Sequence, residues 1–305
     1  MSERLYDMMD WPEIEAVVYS EESEPKRILG PRKTPDGILI QCFRPGAQQV
    51  KVLLGRGKPE YEMEMEDEAG FFSVLLPGDK IPKYKYEAVY EDGRKEKIYD
   101  PYAFEKQITI EQEQQFAAGI CYDIYEKLGA HPMELHGVEG VYFAVWAPHA
   151  ASVSLVGDFN NWEPESHPMT LLETSGIYEI FVPGLKEGNL YKFAIVTQTG
   201  KLLFKADPYA RSAEFRPGTA SAVASDTPYK WSDSAWLQKR RTTNPREAAM
   251  SIYEVHLGSW RKKDREEKNG FYTYREAAVE LAEYVKDMGY THVELMPVME
   301  HPLDA

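Results

Sequence analysis

The chain contains an internal duplication, because residues 37–53 align without a gap on residues 140–156. Identical residues recur at constant spacing in the two segments: Gly37 and Gly140, Pro45 and Pro148, Val50 and Val153. The match resumes downstream, where Asp100-Pro101-Tyr102 corresponds to Asp207-Pro208-Tyr209. A repeat of roughly one hundred residues is the size of a small domain, so the sequence predicts two copies of one domain in tandem.

Each copy shows the pattern of an antiparallel β-sandwich. Short runs alternate apolar and polar residues, and Pro-Gly, Asp-Gly or Gly-Asp turns separate them about every ten residues. The predicted strands of copy one are Ile38–Phe43, Val50–Leu54, Phe71–Leu76, Tyr84–Tyr90 and Lys95–Tyr99. Residues 140–210 repeat the pattern, so we expect two tandem immunoglobulin-like β-sandwiches, preceded by a short helix within Asp10–Tyr19.

The two copies differ at one loop. Copy two reads Gly157-Asp158-Phe159-Asn160-Asn161-Trp162, where copy one has Leu54-Gly55-Arg56-Gly57-Lys58-Pro59. The indole of Trp162 could stack on the apolar face of a sugar while Asn160 or Asn161 offers amide hydrogen bonds. Alternatively, Trp162 packs into its own module and the asparagines close a turn. The copy-one loop lacks the spacing of a phosphate-binding P-loop, which favours a simple hairpin.

The last part of the chain has a different pattern. Met250–Leu257 and Thr291–Pro297 are apolar runs of strand length, and Thr273–Met288 between them predicts a helix. Its predicted apolar face consists of Ala277, Ala278, Leu281, Ala282, Tyr284 and Val285. This order is typical of a βαβ unit with parallel strands. Parallel sheets are buried on both faces, so the sequence predicts the opening of a larger α/β domain. We therefore expect four apolar strand residues to lack neighbours: Ile252, Val255, Val293 and Leu295.

Composition narrows the classes of partner and site. A net charge of −15 argues against nucleic acid and anionic membranes as partners. Aromatic residues make up 12% of the chain, which suits a sugar-binding surface and equally suits β-strands. Two cysteines without a CxxC pair predict neither a zinc site nor a disulfide framework, and no metal or cofactor is expected. A reducing, cytoplasmic location is favoured, since no signal peptide or apolar run of membrane length is present.

Three further side-chain assignments follow from position along the predicted strands. Trp146 lies in a predicted strand at the position that corresponds to Phe43 in copy one, and it is predicted to be in the core. Glu254 and His256 share one face of a strand, and we expect them to support structure rather than catalysis. The basic clusters Lys239-Arg240-Arg241 and Arg261-Lys262-Lys263 are typical of solvated surfaces.

Five strings give the chain a family resemblance over its whole length. They are Asp10-Trp11-Pro12, Phe143-Ala144-Val145-Trp146-Ala147-Pro148, Gly157-Asp158-Phe159-Asn160-Asn161-Trp162, Tyr253-Glu254-Val255-His256-Leu257-Gly258-Ser259-Trp260, and Glu294-Leu295-Met296-Pro297-Val298-Met299 with the following residues up to Asp304. With them, the chain resembles the amino-terminal part of bacterial glycogen branching enzymes, 1,4-α-glucan branching enzymes of the α-amylase superfamily.

The resemblance implies a domain order and a function. Residues 1–130 would be an extra β-sandwich, 131–225 a family 48 carbohydrate-binding module, 226–249 a linker and 250–305 the truncated first βαβ unit of a (β/α)8 catalytic barrel. Such enzymes transfer an α-1,4-glucan segment to a 6-hydroxyl in glycogen biosynthesis. Their catalytic carboxylates follow later barrel strands, so the resemblance implies no catalytic residue here. The alternative is a stand-alone, non-catalytic α-glucan-binding protein.

The resemblance also implies carbohydrate-binding residues. Trp162 falls on a sugar-stacking tryptophan of glycogen-binding modules, Lys192 falls on a sugar-contacting lysine, and Asn161 is the adjacent amide. The expected partner is an α-1,4-glucan or glycogen. Many such modules carry a second stacking tryptophan, whereas the corresponding stretch here, Gly200-Lys201-Leu202-Leu203, has no aromatic residue before Phe204.

Overall fold

The computed structural model describes residues 3–6, 8–172, 174–215, 217–225, 230–263 and 270–299. The chain divides into two compact units, residues 1–226 and 227–305. The described residues are mostly β-strands, with a few short helices. The helices are α1 (Glu3–Tyr6), α2 (Trp11–Val18), α3 (Ile110–Ala117), α4 (Ser234–Thr242), α5 (Leu257–Trp260) and α6 (Tyr274–Asp287).

Copy one forms a sandwich of two antiparallel four-stranded sheets. Its strands are β1 (Gly30–Thr34), β2 (Gly37–Phe43), β3 (Ala47–Leu53), β4 (Glu60–Glu62), β5 (Glu64–Asp67), β6 (Phe71–Leu76), β7 (Lys85–Tyr90) and β8 (Lys95–Ile98). The strand orders are β1-β2-β6-β5 and β4-β3-β7-β8. Apolar side chains from both sheets meet in one core, which includes Ile40, Val52, Phe72 and Tyr86. Cys42 lies in this core, as its apolar strand context predicts.

A short helix covers the outer face of the first sheet. Asp10 caps α2 at its N-terminus, and Pro12 occupies the first turn, where its missing N–H is tolerated. The helix buries Ile14 and Val17 against Phe43 and Phe71. The predicted helix within Asp10–Tyr19 is therefore present, and it seals a sheet face that would otherwise expose apolar side chains.

Copy two repeats this architecture. Its strands are β9 (Gly129–Leu135), β10 (Val138–Trp146), β11 (Ala150–Gly157), β12 (Thr170–Leu172), β13 (Ile177–Pro183), β14 (Leu190–Thr197), β15 (Leu202–Lys205), β16 (Ser212–Ala213) and β17 (Ser221–Ala222). One sheet has the order β12-β13-β10-β9, and the other has β11-β14-β17-β16 with β15 also paired to β14. The two sheets share a core that includes Phe143, Leu155, Ile180 and Phe193.

The core prediction for Trp146 is wrong, because its side chain is 54% exposed. On β10, Val141, Phe143 and Val145 point into the core between the sheets, so the alternate residues point to the opposite face. Trp146 is the last residue of β10 and lies on that opposite face. There its indole N–H donates to the carbonyl of Ser175 at 3.0 Å, and its ring meets that of Phe116 on α3 edge-on.

A buried aspartate closes each sandwich in the same way. Asp100 accepts hydrogen bonds from the hydroxyls of Tyr84 and Tyr86 and from the backbone N–H of Tyr102. In copy two, Asp207 accepts from the Tyr191 hydroxyl and the Tyr209 N–H. Burial raises the pKa of both carboxyl groups, so the donors around them must compensate for lost hydration. The duplicated Asp-Pro-Tyr motif is therefore a structural lock.

A glycine faces each lock at the start of the first strand. Gly30 and Gly129 have φ of +96° and +104°, in the region that favours glycine. A Cβ on Gly30 would lie 2.9 Å from the Cβ of Tyr102, and one on Gly129 would lie 3.2 Å from the Cβ of Tyr209. The glycine at the start of each first strand thus has a steric reason, the close approach of the tyrosine of the Asp-Pro-Tyr motif.

The second unit contains the expected strand–helix–strand order. Strands β18 (Ile252–Val255) and β19 (His292–Leu295) pair in parallel. Thr273 and Glu276 form a capping box at the start of α6, and Gly289 follows the helix with φ +76°.

The apolar face of α6 is narrower than predicted. Ala277 and Leu281 are buried, whereas Ala278 and Ala282 are exposed. Among the four strand residues expected to lack neighbours, Ile252, Val293 and Leu295 are exposed, but Val255 is buried. No helix in the described part of the chain is both long and apolar enough to cross a lipid bilayer.

Candidate functional site

The loop that distinguishes copy two is built around one buried amide. Asn160 accepts from the backbone N–H of Gly157 at 2.9 Å. Its Nδ2 donates to the carbonyl of Leu155 at 3.0 Å and lies 3.0 Å from Nδ1 of His167, with the Glu163 carbonyl at 3.4 Å. The side chain is 7% exposed, so its hydrogen-bonding capacity serves the loop itself. Of the two asparagines considered as sugar contacts, Asn160 is therefore structural.

The next two residues adopt a strained backbone conformation. Asn161 and Trp162 have φ of +54° and +63°. Left-handed backbone costs a non-glycine residue about 1–2 kcal/mol, and a bulky residue rarely adopts it. The backbone N–H of Trp162 donates to the Gly157 carbonyl at 3.0 Å, and its indole N–H donates to Asp158 at 3.0 Å. These contacts hold the tryptophan at the loop tip, and strain of this kind is typical of functional sites.

Strand pairing brings Lys192 beside the start of the loop. On β14, Tyr191 lies opposite Gly157 and Lys192 opposite Val156. Tyr191 points into the core, so Lys192 points to the outer face, where its ammonium donates to the hydroxyl of Thr219 at 2.7 Å. The structure therefore gathers Asn161, Trp162 and Lys192 at one end of the β11–β14 pair.

Phe204 lies on the same outer face. It is paired with Ala194 on β14, two residues from Lys192, and is 47% exposed. Paired residues of an antiparallel sheet share a face, as do residues two apart on one strand. The sequence alone showed only the absence of a second tryptophan. Strand alternation across β14 and β15 is the signal that would have found this exposed aromatic ring.

The loop also lines a cleft of about 890 Å³ between the two sandwiches. Phe159, Asn161 and His167 line it together with Arg44 and Tyr90 of copy one. Burial, with a smaller effect from the positive charge of Arg44, lowers the pKa of His167 to about 3. The ring is therefore neutral at neutral pH, and its Nδ1 can accept the hydrogen bond from Asn160.

The described strands of the second unit carry two paired acidic residues. Glu254 on β18 pairs in register with Glu294 on β19, so the two exposed carboxylates stand side by side on one face. Nδ1 of His256 lies 2.7 Å from the hydroxyl of Ser259 in the following turn. The structural role expected for Glu254 and His256 stays a prediction.

Two family models match the chain in tandem. Residues 10–102 match the N-terminal domain of alpha-1,4-glucan branching enzyme GlgB. Residues 127–210 match carbohydrate-binding module 48, the isoamylase N-terminal domain. The two matched segments contain the two copies of the internal repeat, so the duplication and the family models describe the same pair of domains.

Curated relatives extend the match to nearly the whole chain. The 1,4-alpha-glucan branching enzyme GlgB of Rubrobacter xylanophilus is 44% identical over 290 residues, which cover 95% of this chain and 39% of the relative. The enzyme of the same name from Protochlamydia amoebophila is 40% identical over 306 residues, covering 100% and 41%. This chain thus spans about two fifths of the length of the curated relatives it matches.

A solved structure gives a weaker match. The apo pullulanase of Klebsiella pneumoniae aligns with a TM-score of 0.44 at 20% identity, covering 86% of this chain and 32% of that one.

Proposed function

We propose that this chain, which corresponds to the amino-terminal part of the 1,4-alpha-glucan branching enzymes, holds an α-glucan for glycogen branching. In that reaction an α-1,4-glucan segment is transferred to a 6-hydroxyl of a growing glycogen particle. The support is the identity of 40–44% to curated branching enzymes over at least 95% of the chain. The role assigned to this chain is binding and presentation of the glucan.

The proposal assigns each segment a part. Residues 1–130 form an immunoglobulin-like sandwich, 131–225 the glucan-binding sandwich, and 226–249 a linker. Residues 250–305 form the opening of a (β/α)8 barrel, an assignment supported by the parallel pairing of β18 with β19 around α6. Exposed apolar residues on these strands, such as Ile252 and Val293, suit positions that further barrel elements would cover.

The single observation that carries the binding role is the strained tip of the copy-two loop. The indole N–H of Trp162 already donates a hydrogen bond to Asp158. A ligand can therefore contact this side chain through the faces of its ring. A flat apolar ring face suits the C–H face of a glucose unit. Asn161 is exposed and has no hydrogen-bond partner among the described residues, so its amide can bond to sugar hydroxyls.

Lys192 and Phe204 extend this surface across the sheet. Lys192 can exchange its bond to the Thr219 hydroxyl for one to a sugar hydroxyl of the same chemistry. Phe204, directly after the stretch Gly200–Leu203 that corresponds to the second tryptophan of many related modules, offers a second exposed aromatic face. A neutral glucan is also compatible with a chain of net charge −15, whereas a polyanion would be repelled.

Catalysis by the described residues alone is not part of the proposal. Retaining glycosyl transfer needs two carboxyl groups about 5 Å apart on opposite sides of the scissile bond. Glu254 and Glu294 instead lie on neighbouring strands and share one face. We therefore expect the 305-residue chain to bind glucan without branching it.

Affinity electrophoresis in gels containing glycogen tests the binding role. Glycogen is expected to retard the chain. Trp162→Ala is expected to lower the affinity for glycogen, measured from the retardation, about tenfold, because it removes one aromatic stacking contact of ~1.4 kcal/mol. Trp236→Ala is the matched control, since Trp236 is an exposed tryptophan of α4. Unretarded migration of the unmodified chain would refute the binding role. The drop in iodine-complex absorbance of amylose tests the second expectation, and turnover by the pure chain would contradict it.

A further inference from the structure

The copy-one loop lines a basic cleft of its own. Residues 54–58 occupy the sandwich corner that corresponds to the candidate glucan loop of copy two, and they border a cleft of about 550 Å³. We call this space the copy-one cleft. Among the described residues, the cations that line it are Arg56, Lys58, Lys83, Lys85 and Lys97, the one acid is Glu60, and His136 also lines it.

This concentration of positive charge contrasts with the rest of the molecule. Five cations and one acid line the copy-one cleft of a chain whose net charge is −15. Like charges gathered in a concave site repel one another, and they focus a positive potential that attracts small anions. A cluster of this kind in an acidic protein is therefore expected to have a ligand that neutralises it.

The cations of the copy-one cleft differ in the partners that they already have within the protein. Lys97 pairs with Glu87 at 3.0 Å, and Lys85 lies 4.0 Å from the centre of the Tyr99 ring. The one hydrogen bond that Lys83 donates to a described residue goes to the backbone carbonyl of His136, at 3.1 Å.

Two cations on the loop are unsatisfied. The side chains of Arg56 and Lys58 are exposed, and neither has a hydrogen-bond or ion-pair partner among the described residues. The nearby imidazole of His136 is bonded to Glu105 at 2.7 Å, so that carboxylate is already engaged. Lys83, Arg56 and Lys58 therefore remain available to an anion.

We propose that the copy-one cleft binds the phosphate group of a phosphorylated saccharide. The guanidinium of Arg56 can bind two phosphate oxygens at once, and the ammonium groups of Lys58 and Lys83 add point charges. The glycines on either side of Arg56 have φ of +108° and +74° and no atoms near their Cβ positions, which leaves the loop backbone open to a ligand.

The shape and the overall charge restrict the rest of the ligand. The cleft is large enough for a sugar phosphate, whereas the −15 net charge disfavours nucleic acid and anionic membranes. A phosphate monoester can belong to a free sugar phosphate or to a phosphorylated glucan, and both present the same group to the copy-one cleft. The inference does not depend on glucan binding at Trp162, which lies on the other sandwich.

Isothermal titration calorimetry of the 305-residue chain with pyrophosphate tests the site. One equivalent is expected to bind, and the triple variant Arg56→Gln/Lys58→Gln/Lys83→Gln is expected to lower the affinity at least tenfold. The matched control is Arg240→Gln/Arg241→Gln, which removes charge from the basic turn of α4 and should leave the affinity unchanged. Absence of binding, or equal losses in both variants, would overturn the proposal.

Two further measurements keep the result specific. Lys58→Glu alone reverses one exposed charge on the loop and should weaken binding more than Lys58→Gln, with an unchanged thermal melt as evidence of folding. Glucose 6-phosphate and a phosphorylated maltodextrin should each bind at least tenfold more tightly than their unphosphorylated counterparts. Equal binding of the neutral sugars would refute the phosphate assignment, whichever of the two carriers is used.

Discussion

The two sandwiches keep the same closing lock and differ at the same corner. In both, a buried aspartate holds a tyrosine hydroxyl and a backbone N–H, and a glycine faces the closing tyrosine. At the corner after the third strand, copy one has an exposed basic loop and copy two has a loop fixed by Asn160. One partly buried residue of each corner packs against its core, Leu54 in copy one and Phe159 in copy two, while the exposed residues of the corner differ on the shared scaffold.

The lock provides the largest expected effect. Asp100→Ala leaves two buried tyrosine hydroxyls and one partly buried N–H without their acceptor and should lower the free energy of unfolding by about 4 kcal/mol. Asp207→Ala leaves one buried hydroxyl and one partly buried N–H and should cost about 3 kcal/mol. Urea unfolding followed by fluorescence measures both. Asp79→Ala, at an exposed position, is the control and should stay within about 0.5 kcal/mol of the unmodified chain. A cost below about 1 kcal/mol for Asp100→Ala would show that the lock is not structural.

The adjacent asparagines of the copy-two loop should differ almost as much. Asn160→Ala removes the bonds to the Gly157 N–H and the Leu155 carbonyl inside a buried loop, at an expected cost of about 3 kcal/mol. Asn161→Gly relieves the left-handed backbone and should stabilise the chain by up to ~1 kcal/mol while weakening glucan binding. Thermal unfolding and glycogen electrophoresis of both variants test this. Equal destabilisation by the two changes would contradict the division of roles.

The stability of the two sandwiches should depend differently on pH, because only copy two contains histidine within its strands and loops. Residues 30–103 contain no histidine, whereas copy two contains His167, whose pKa is lowered to about 3. Between the folded pKa of about 3 and the unfolded pKa of about 6.5, the imidazole is neutral in the folded chain and takes up a proton on unfolding. The contribution of His167 to the free energy of unfolding is therefore fully present above pH 6.5 and is lost as the pH falls towards the folded pKa. The loss between pH 7 and pH 4.5 should be roughly 2.5 kcal/mol.

Comparison with His167→Gln isolates this contribution. The buried carboxyls Asp100 and Asp207 have raised pKa values and oppose the effect, because their stabilisation is present at low pH and lost as pH rises. They are common to both proteins and cancel in the difference. Urea midpoints from pH 4.5 to pH 7 should converge for the two proteins at the acid end, and parallel curves would refute the assignment.

The smallest effect expected concerns the second aromatic ring. Phe204→Ala should weaken glycogen retardation by about threefold, less than Trp162→Ala, because Phe204 lies on an edge strand and no strained loop holds it. Tyr122→Ala, which removes an exposed ring outside the sheet, is the control. An effect of Phe204→Ala equal to that of Trp162→Ala would mean that the sheet face, not the loop, dominates binding.

Sequence reasoning predicted the scaffold well because the scaffold obeys periodic rules. The strand predicted at Phe71–Leu76 is present with the same bounds, and the βαβ order of the second unit is confirmed. Turn chemistry and period-two alternation depend on neighbouring residues, which a sequence displays directly. Trp146 was assigned wrongly because β10 buries both faces, so alternation alone could not say which face its end would leave uncovered.

The candidate site was less predictable because it depends on contacts between distant strands. The sequence singled out Trp162 and two adjacent asparagines, but only the hydrogen bonds to Leu155 and His167 show that Asn160 is structural. The exposure of Phe204 likewise follows from its pairing with Ala194. Register and burial of this kind are set by the whole fold, and a linear pattern does not contain them.

The copy-two corner is proposed to bind neutral, unphosphorylated glucan, and the equivalent copy-one corner is not. A maltoheptaose titration of the ¹⁵N-labelled chain, followed by NMR, tests this difference without altering a residue. We expect shifts of the indole N–H of Trp162 and the amides of Asn161 and Lys192, with residues 54–59 unmoved. Shifts confined to residues 54–59, or of equal size at both corners, would contradict it.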